Sequence, residues 1–135
     1  MKKEVGLWID HRETVFVTIE NGVEVVRKIK SNAAKQVLNK KSTKAYDAKN
    51  KDESGSKEML NRKFEKNLNQ YYDGVISFIR NADSILIFGP GKAKVEFENR
   101  LIENQLGEHI VGVETVGKMT EIQISAKVRN YYSHW

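Results

Sequence analysis

The rhythm of apolar and polar positions changes twice along the chain. Over residues 4–29 it is the rhythm of strands. "VGLWI" is a short apolar run, "TVFVTIE" is rich in β-branched side chains, and "VEVVRKI" roughly alternates. Asn21-Gly22 separates the last two runs. That pair favours a two-residue hairpin, because a type I′ turn needs positive φ at both central positions. "DHRE", Asp10 to Glu13, separates the first two. The expectation is an antiparallel meander of three strands.

The rhythm is lost from residue 30 to about 56. "KSNAAKQVLNKKSTKAYDAKNKDESGS" holds few large apolar side chains, too few to offset the entropy of ordering it. It reads as a long mobile loop at about 30–58, with a short helix near Ala33 to Leu38. A connection of that length inside a compact domain is usually either functional or disordered.

Helical spacing follows. Leu60, Phe64, Leu68, Tyr71 or Tyr72, Val75 and Ile79 recur every three or four residues and form one apolar stripe. Ser56 suits the N-cap and Glu58 the positive first turn. "SILIF" is apolar on both faces, as a buried strand is. Residues 92–106 predict a second helix, with Val95, Phe97, Leu101, Ile102 and Leu106 mostly inward and Gly107 as its stop. "IVGVETV", residues 110–116, is another buried strand. Thr120 to Gln123 fits a capping box for a last helix running through Ile122, Ile124 and Val128 toward Tyr131. The order β-β-β-α-β-α-β-α predicts an α/β fold. Its mixed five-stranded sheet would join a three-stranded antiparallel meander to two parallel strands, with helices on its faces. That architecture is similar to the ribonuclease H-like and translational-machinery-component-like sandwiches.

Composition narrows the chemistry. A chain of 135 residues suits one domain over 1–135. No apolar run approaches the roughly 20 residues that span a bilayer, and "MKKEVGLWID" lacks the apolar core of a signal peptide. Cysteine is absent, which removes disulfides, thiolate nucleophiles and cysteine metal sites. A cytoplasmic protein with no membrane partner is the simplest expectation. The net charge is +5, and residues 30 to 58 hold eight lysines against four acids, a net +4. A positive arm of this kind suits a polyanionic partner such as RNA, although a solvated lysine-rich loop accounts for the charge equally well.

Catalytic constellations are hard to assemble from these residues. A two-metal nuclease needs several carboxylates around ions about 4 Å apart. Asp10 ends the first strand, but the fourth ends in Phe88-Gly89-Pro90, the long helix offers only Glu65 and Asp73, and Glu114 lies within the fifth strand. Asp10 reads instead as a turn residue bonding its own backbone. His11, His109 and His134 have no metal-ligand spacing and read as surface residues. No serine sits on a Gly-x-Ser-x-Gly elbow. Neither catalytic residues, nor a metal, nor a cofactor are expected. "GPGKAK" has the outline of a phosphate cradle, yet it lacks the length and hydroxyl of a Walker A loop, and Pro90 removes one amide donor. Gly89, Gly91, Lys92 and Lys94 remain candidates for an anion at a helix start.

The ordered set of segments resembles a known family. "VGLWIDHRETVFVTIENGVEVVRKIK", a basic loop, "EKNLNQYYDGVISFI" and "ADSILIFGPGKAKVEFENRL" are similar to the middle domain of archaeal and eukaryotic peptide-chain release factors and of Pelota. They look closest to short bacterial single-domain relatives of that domain, whose end "VGVETVGKMTEIQISAKVRNYY" also resembles. In release factors the corresponding loop carries Gly-Gly-Gln into the peptidyl-transferase centre. Here it has only Gly55 and Gln36, far apart, so the resemblance does not bring peptidyl-tRNA hydrolysis with it. What it implies is a non-catalytic RNA- or ribosome-binding protein of the translation machinery. Lys35, Lys40, Lys41, Lys44, Lys49 and Lys51 would contact phosphates of ribosomal RNA or tRNA, with Tyr46 stacking on a base. Two other readings stand beside it. One is a small-ligand binder or enzyme using the Gly89-Pro90-Gly91-Lys92 turn. The other is a homo-oligomer through an exposed patch of Tyr131, Tyr132 and Trp135.

Overall fold

Strand pairing is set at the Asn21-Gly22 turn. The two residues have φ of 56° and 77°, the pair of positive values a type I′ turn requires. In the computed structural model, which describes residues 2–31 and 53–133, the turn folds β2 (Glu13–Glu20) back on β3 (Val23–Lys30). β1 (Lys3–Ile9) pairs antiparallel with β2 and completes the meander. β4 (Ser84–Gly89) lies parallel to β1, and β5 (Ile110–Thr115) parallel to β4. The sheet order is β3-β2-β1-β4-β5, the mixed α/β sheet that the sequence predicts.

Alternation along β1 and β4 divides the core into two layers. Val5, Leu7, Ile9, Ile85 and Ile87 face α1 (Glu53–Ile79) and α2 (Ala93–Glu103). Trp8, Leu86 and Phe88 face α3 (Glu121–Ser133). All six residues of β4 are buried, which follows from helices covering both faces. α3 lies almost on the backbone of β1: a Cβ on Gly6 would stand 2.4 Å from Val128 Cγ2.

From Phe64 on, the expected stripe on α1 is present: Leu68, Tyr71, Tyr72, Val75 and Ile79 are buried and Phe64 packs against them, while the side chain of Leu60 lies outside the described residues. The helix starts at Glu53 rather than at a Ser56 cap, so residues 53–58 of the expected loop are helical. Asp52 and Glu53 put two acids in the sequence where the positive helix end falls. The rest of that loop, with the short helix expected at Ala33 to Leu38, lies outside the described residues.

Five other expectations are corrected. In α2, Val95 and Ile102 face solvent while Phe97 and Leu101 are buried, because only one narrow side of the helix meets the sheet. This helix is stopped by Gln105, not Gly107. Gln105 adopts φ 63°, Leu106 N donates to Leu101 O at 2.8 Å and Gln105 N to Ile102 O at 3.0 Å. Those two bonds are the Schellman pattern. In α3 the capping box forms, with Thr120 N donating to Gln123 Oε1 and Gln123 N to Thr120 Oγ1, but Ile122 is 81% exposed. Finally, Tyr132 is buried and donates its hydroxyl to Val5 O at 2.6 Å. It is therefore withdrawn from the C-terminal aromatic patch, in which Tyr131 is half-buried and Trp135 falls outside the described residues. β5, expected to be buried, is half-exposed along most of its length, since it forms an outer strand of the sheet. No described helix is long and apolar enough to cross a membrane.

Candidate functional site

The parallel strands β1, β4 and β5 end together, and three chain crossings meet there. The first is the β1–β2 turn. Asp10 Oδ1 accepts from Arg12 N and Glu13 N, both at 2.8 Å, the self-bonding turn expected of that aspartate. Its carboxylate is thereby engaged by backbone. Among the described residues no group of three or more His, Cys, Asp or Glu side chains could hold a metal ion.

The second crossing is the β4–α2 turn. Gly89 has φ 155°, and a Cβ there would meet Ile9 O at 2.2 Å. Glycine thus lets β4 pass directly beside the end of β1. Gly91 follows at φ 63°, and Lys92 begins α2 without a side-chain cap. Lys94 is buried, and its ammonium donates to Gly91 O at 2.5 Å. Of the four expected anion-site residues, then, Lys94 is spent on the turn itself and Lys92 alone offers an exposed cation.

The third crossing is where β3 ends. Ser31 N donates to Arg12 O at 2.8 Å and Ser31 Oγ to His11 O at 2.5 Å. The lysine-rich connection therefore leaves the body from a point fastened to the β1–β2 turn. Its expected RNA contacts, Lys35, Lys40, Lys41, Lys44, Tyr46, Lys49 and Lys51, lie outside the described residues.

A polar clasp missed in the sequence joins these crossings. His11 Nε2 stands 3.0 Å from Glu96 Oε1, and the Tyr72 hydroxyl donates to the same oxygen at 2.7 Å. A carboxylate only accepts, so Nε2 carries the proton. Phe64 of α1 packs edge-on against the His11 ring at 6.3 Å. Next to it the Tyr71 hydroxyl lies 2.5 Å from Thr14 Oγ1 and donates to Asp10 O at 3.3 Å. Burial drives the titration of Tyr72 upward, helped by its bond to Glu96. Burial does the same for Tyr71, against the opposing bond from Thr14. Both stay neutral donors at physiological pH. The clasp fastens α1 and α2 to the end of β1. His11, expected at the surface, is half-exposed and partnered; a spacing of 85 residues to Glu96 carries no local signal. His109 faces Asp83 O at the opposite end of the sheet.

Away from these crossings, a groove beside α3 is lined by Met119, Gln123, Ala126, Lys127, Asn130 and Tyr131. Its one cation, Lys127, is paired with Glu114 at 3.0 Å.

The architecture defines a class by itself: a mixed five-stranded α/β sheet with helices on both faces. No protein-family model matches the chain, and no curated protein does. Among solved structures it resembles Pelota from Archaeoglobus fulgidus, at 12% identity and a TM-score of 0.55, over 95% of this chain and 31% of that one. Pelota from Thermoplasma acidophilum matches at 14% identity and a TM-score of 0.52, over 99% and 32% of the two chains. An archaeal translation termination factor matches at 9% identity and 0.54, over 98% and 39%. The chain thus spans about a third of each of those structures. At such identities the likeness establishes a Pelota- and release-factor-like fold.

Proposed function

We propose that this chain is a non-catalytic RNA-binding protein of the translation machinery, akin to the middle domain of release factors, with ribosomal RNA or tRNA as its partner and the cytoplasm as its place of work. One observation carries the reading. Of a net charge of +5, +4 falls in residues 30 to 58, the connection that leaves a body folded like Pelota and a termination factor. Lys35, Lys40, Lys41, Lys44, Lys49 and Lys51 contact phosphates, which are recognised by charge and not by sequence. Tyr46 stacks on an exposed base. The connection has no Gly-Gly-Gln, so the reading includes no hydrolysis of peptidyl-tRNA.

The test is co-sedimentation with purified ribosomes, and filter binding to tRNA, from about 50 to 300 mM salt. Wild-type protein should bind at low salt and be released as salt rises. Replacing Lys40, Lys41, Lys44, Lys49 and Lys51 by alanine should weaken binding at least tenfold. No binding at low salt, or binding that ignores the five substitutions, would refute the reading.

A further inference from the structure

Four free cations of the folded body lie at one end of the sheet. Arg12 lies in the β1–β2 turn, Lys30 ends β3, Lys92 begins α2 after β4, and Lys118 follows β5. All four are exposed, and none has a side-chain partner among the described residues. β1, β3, β4 and β5 run in one direction, so these positions share the carboxyl end of the sheet. Strand order sets them in a row: Lys30, Arg12, Lys92, Lys118. Four strand spacings of about 4.8 Å make that row roughly 19 Å long.

The acids at this end keep their charge, but among the described residues none of them pairs with a cation of the row. Asp10 is held by backbone amides. Glu13 and Glu121 both face Lys28, each at 3.8 Å. Glu96 is taken by His11 and Tyr72, and Glu114 by Lys127. At the opposite end, the exposed groups without a side-chain partner among the described residues include the carboxylates of Glu20 and Glu108.

We infer that this row is a second, pre-formed contact for an RNA backbone, built into the folded body beside the lysine-rich connection. The inference rests on the RNA-binding reading above and adds a fixed docking surface to it. A row of roughly 19 Å is long enough to meet several consecutive phosphates of one strand. Arg12, Lys30 and Lys92 stand beside the Asp10 and Ser31 bonds and the Gly89 crossing, and Lys118 follows Gly117, whose carbonyl accepts from Trp8 Nε1 at 3.0 Å. Little backbone freedom is lost when they dock. A linear polyphosphate meets all four, whereas a mononucleotide spans one or two.

Anisotropy of a labelled 12-nucleotide single-stranded RNA, followed across a salt series, tests this with three full-length variants. The first carries Arg12→Gln, Lys30→Gln, Lys92→Gln and Lys118→Gln, with the lysines at 35–57 intact. The second carries Lys40→Gln, Lys41→Gln, Lys44→Gln, Lys49→Gln and Lys51→Gln with the row intact. The third removes four cations elsewhere, by Lys2→Gln, Lys66→Gln, Arg80→Gln and Arg129→Gln, as a control for net charge. The row variant should bind more than tenfold more weakly at about 100 mM salt, and its slope of log K against log salt should flatten by about 2.8, or about 0.7 per lost contact. The control should keep the wild-type slope within about one contact. A row variant that folds, by circular dichroism, and binds as wild type overturns the inference, and so does equal loss in row variant and control. Loss in the connection variant alone overturns the row and leaves the RNA-binding reading standing. Loss in the row variant alone supports the row and overturns the part given to the connection. Wild-type protein that ignores the RNA but binds phosphatidylglycerol vesicles overturns both.

Discussion

Gly89 shows how much one missing side chain arranges. At φ 155°, with Ile9 O only 2.2 Å from where a Cβ would stand, it sets the distance between the ends of β1 and β4. Gly89→Ala forces backbone against backbone, so neither partner can yield cheaply. Stability should fall by about 2–3 kcal/mol, read as a lower urea midpoint with an unchanged slope. The sequence makes a turn visible at Gly89-Pro90-Gly91, but not the neighbouring strand that requires the first glycine. Asp10 lies at the other extreme. Its bonds reach two and three residues ahead, so sequence alone reveals its role. Glu96 serves His11 and Tyr72 across 85 and 24 residues, and nothing local announces such a meeting.

At the scale of elements, periodicity carried most of the information. The stripe on α1, the type I′ hairpin and the capping box on α3 are each written within a few residues, and each forms. What periodicity could not supply was neighbourhood. β3 and β5 are open to solvent because the sheet order leaves them outermost, which no pattern inside "VEVVRKI" or "IVGVETV" encodes. The end of α2 was hidden for a related reason: Gln105 occupies the left-handed position that glycine usually fills. Gln105→Gly should therefore raise stability by about 0.5–1 kcal/mol, seen as a higher melting temperature. Thr120→Ala should act oppositely, since it strips the bond from Gln123 N. The loss expected is about 1 kcal/mol in urea unfolding.

For the whole molecule, three buried tyrosines act together on stability. Burial pushes Tyr71, Tyr72 and Tyr132 well above the ordinary tyrosine value of 10.0. Above pH 10 the unfolded chain sheds these protons while the native one keeps them, so stability is full below that pH and falls as pH rises past it. The expected slope approaches about 4 kcal/mol per pH unit, or about 1.4 per tyrosine. Urea unfolding between pH 8 and 11 measures it, and Tyr132→Phe should reduce the slope by about a third. The strand content of the whole was legible from the sequence, and so was the lysine-rich interruption. The order in which strands lie side by side needed the structure. That order also governs how the protein is made. Glu4 finds its parallel neighbour in Ser84, so β1 leaves the ribosome about 80 residues ahead of β4. At about 5–20 residues per second the gap lasts some 4–16 s, while a hairpin closes within about 10 μs. During synthesis the meander therefore waits with its most apolar strand at an open edge, and that interval is when the nascent chain is most in need of a chaperone.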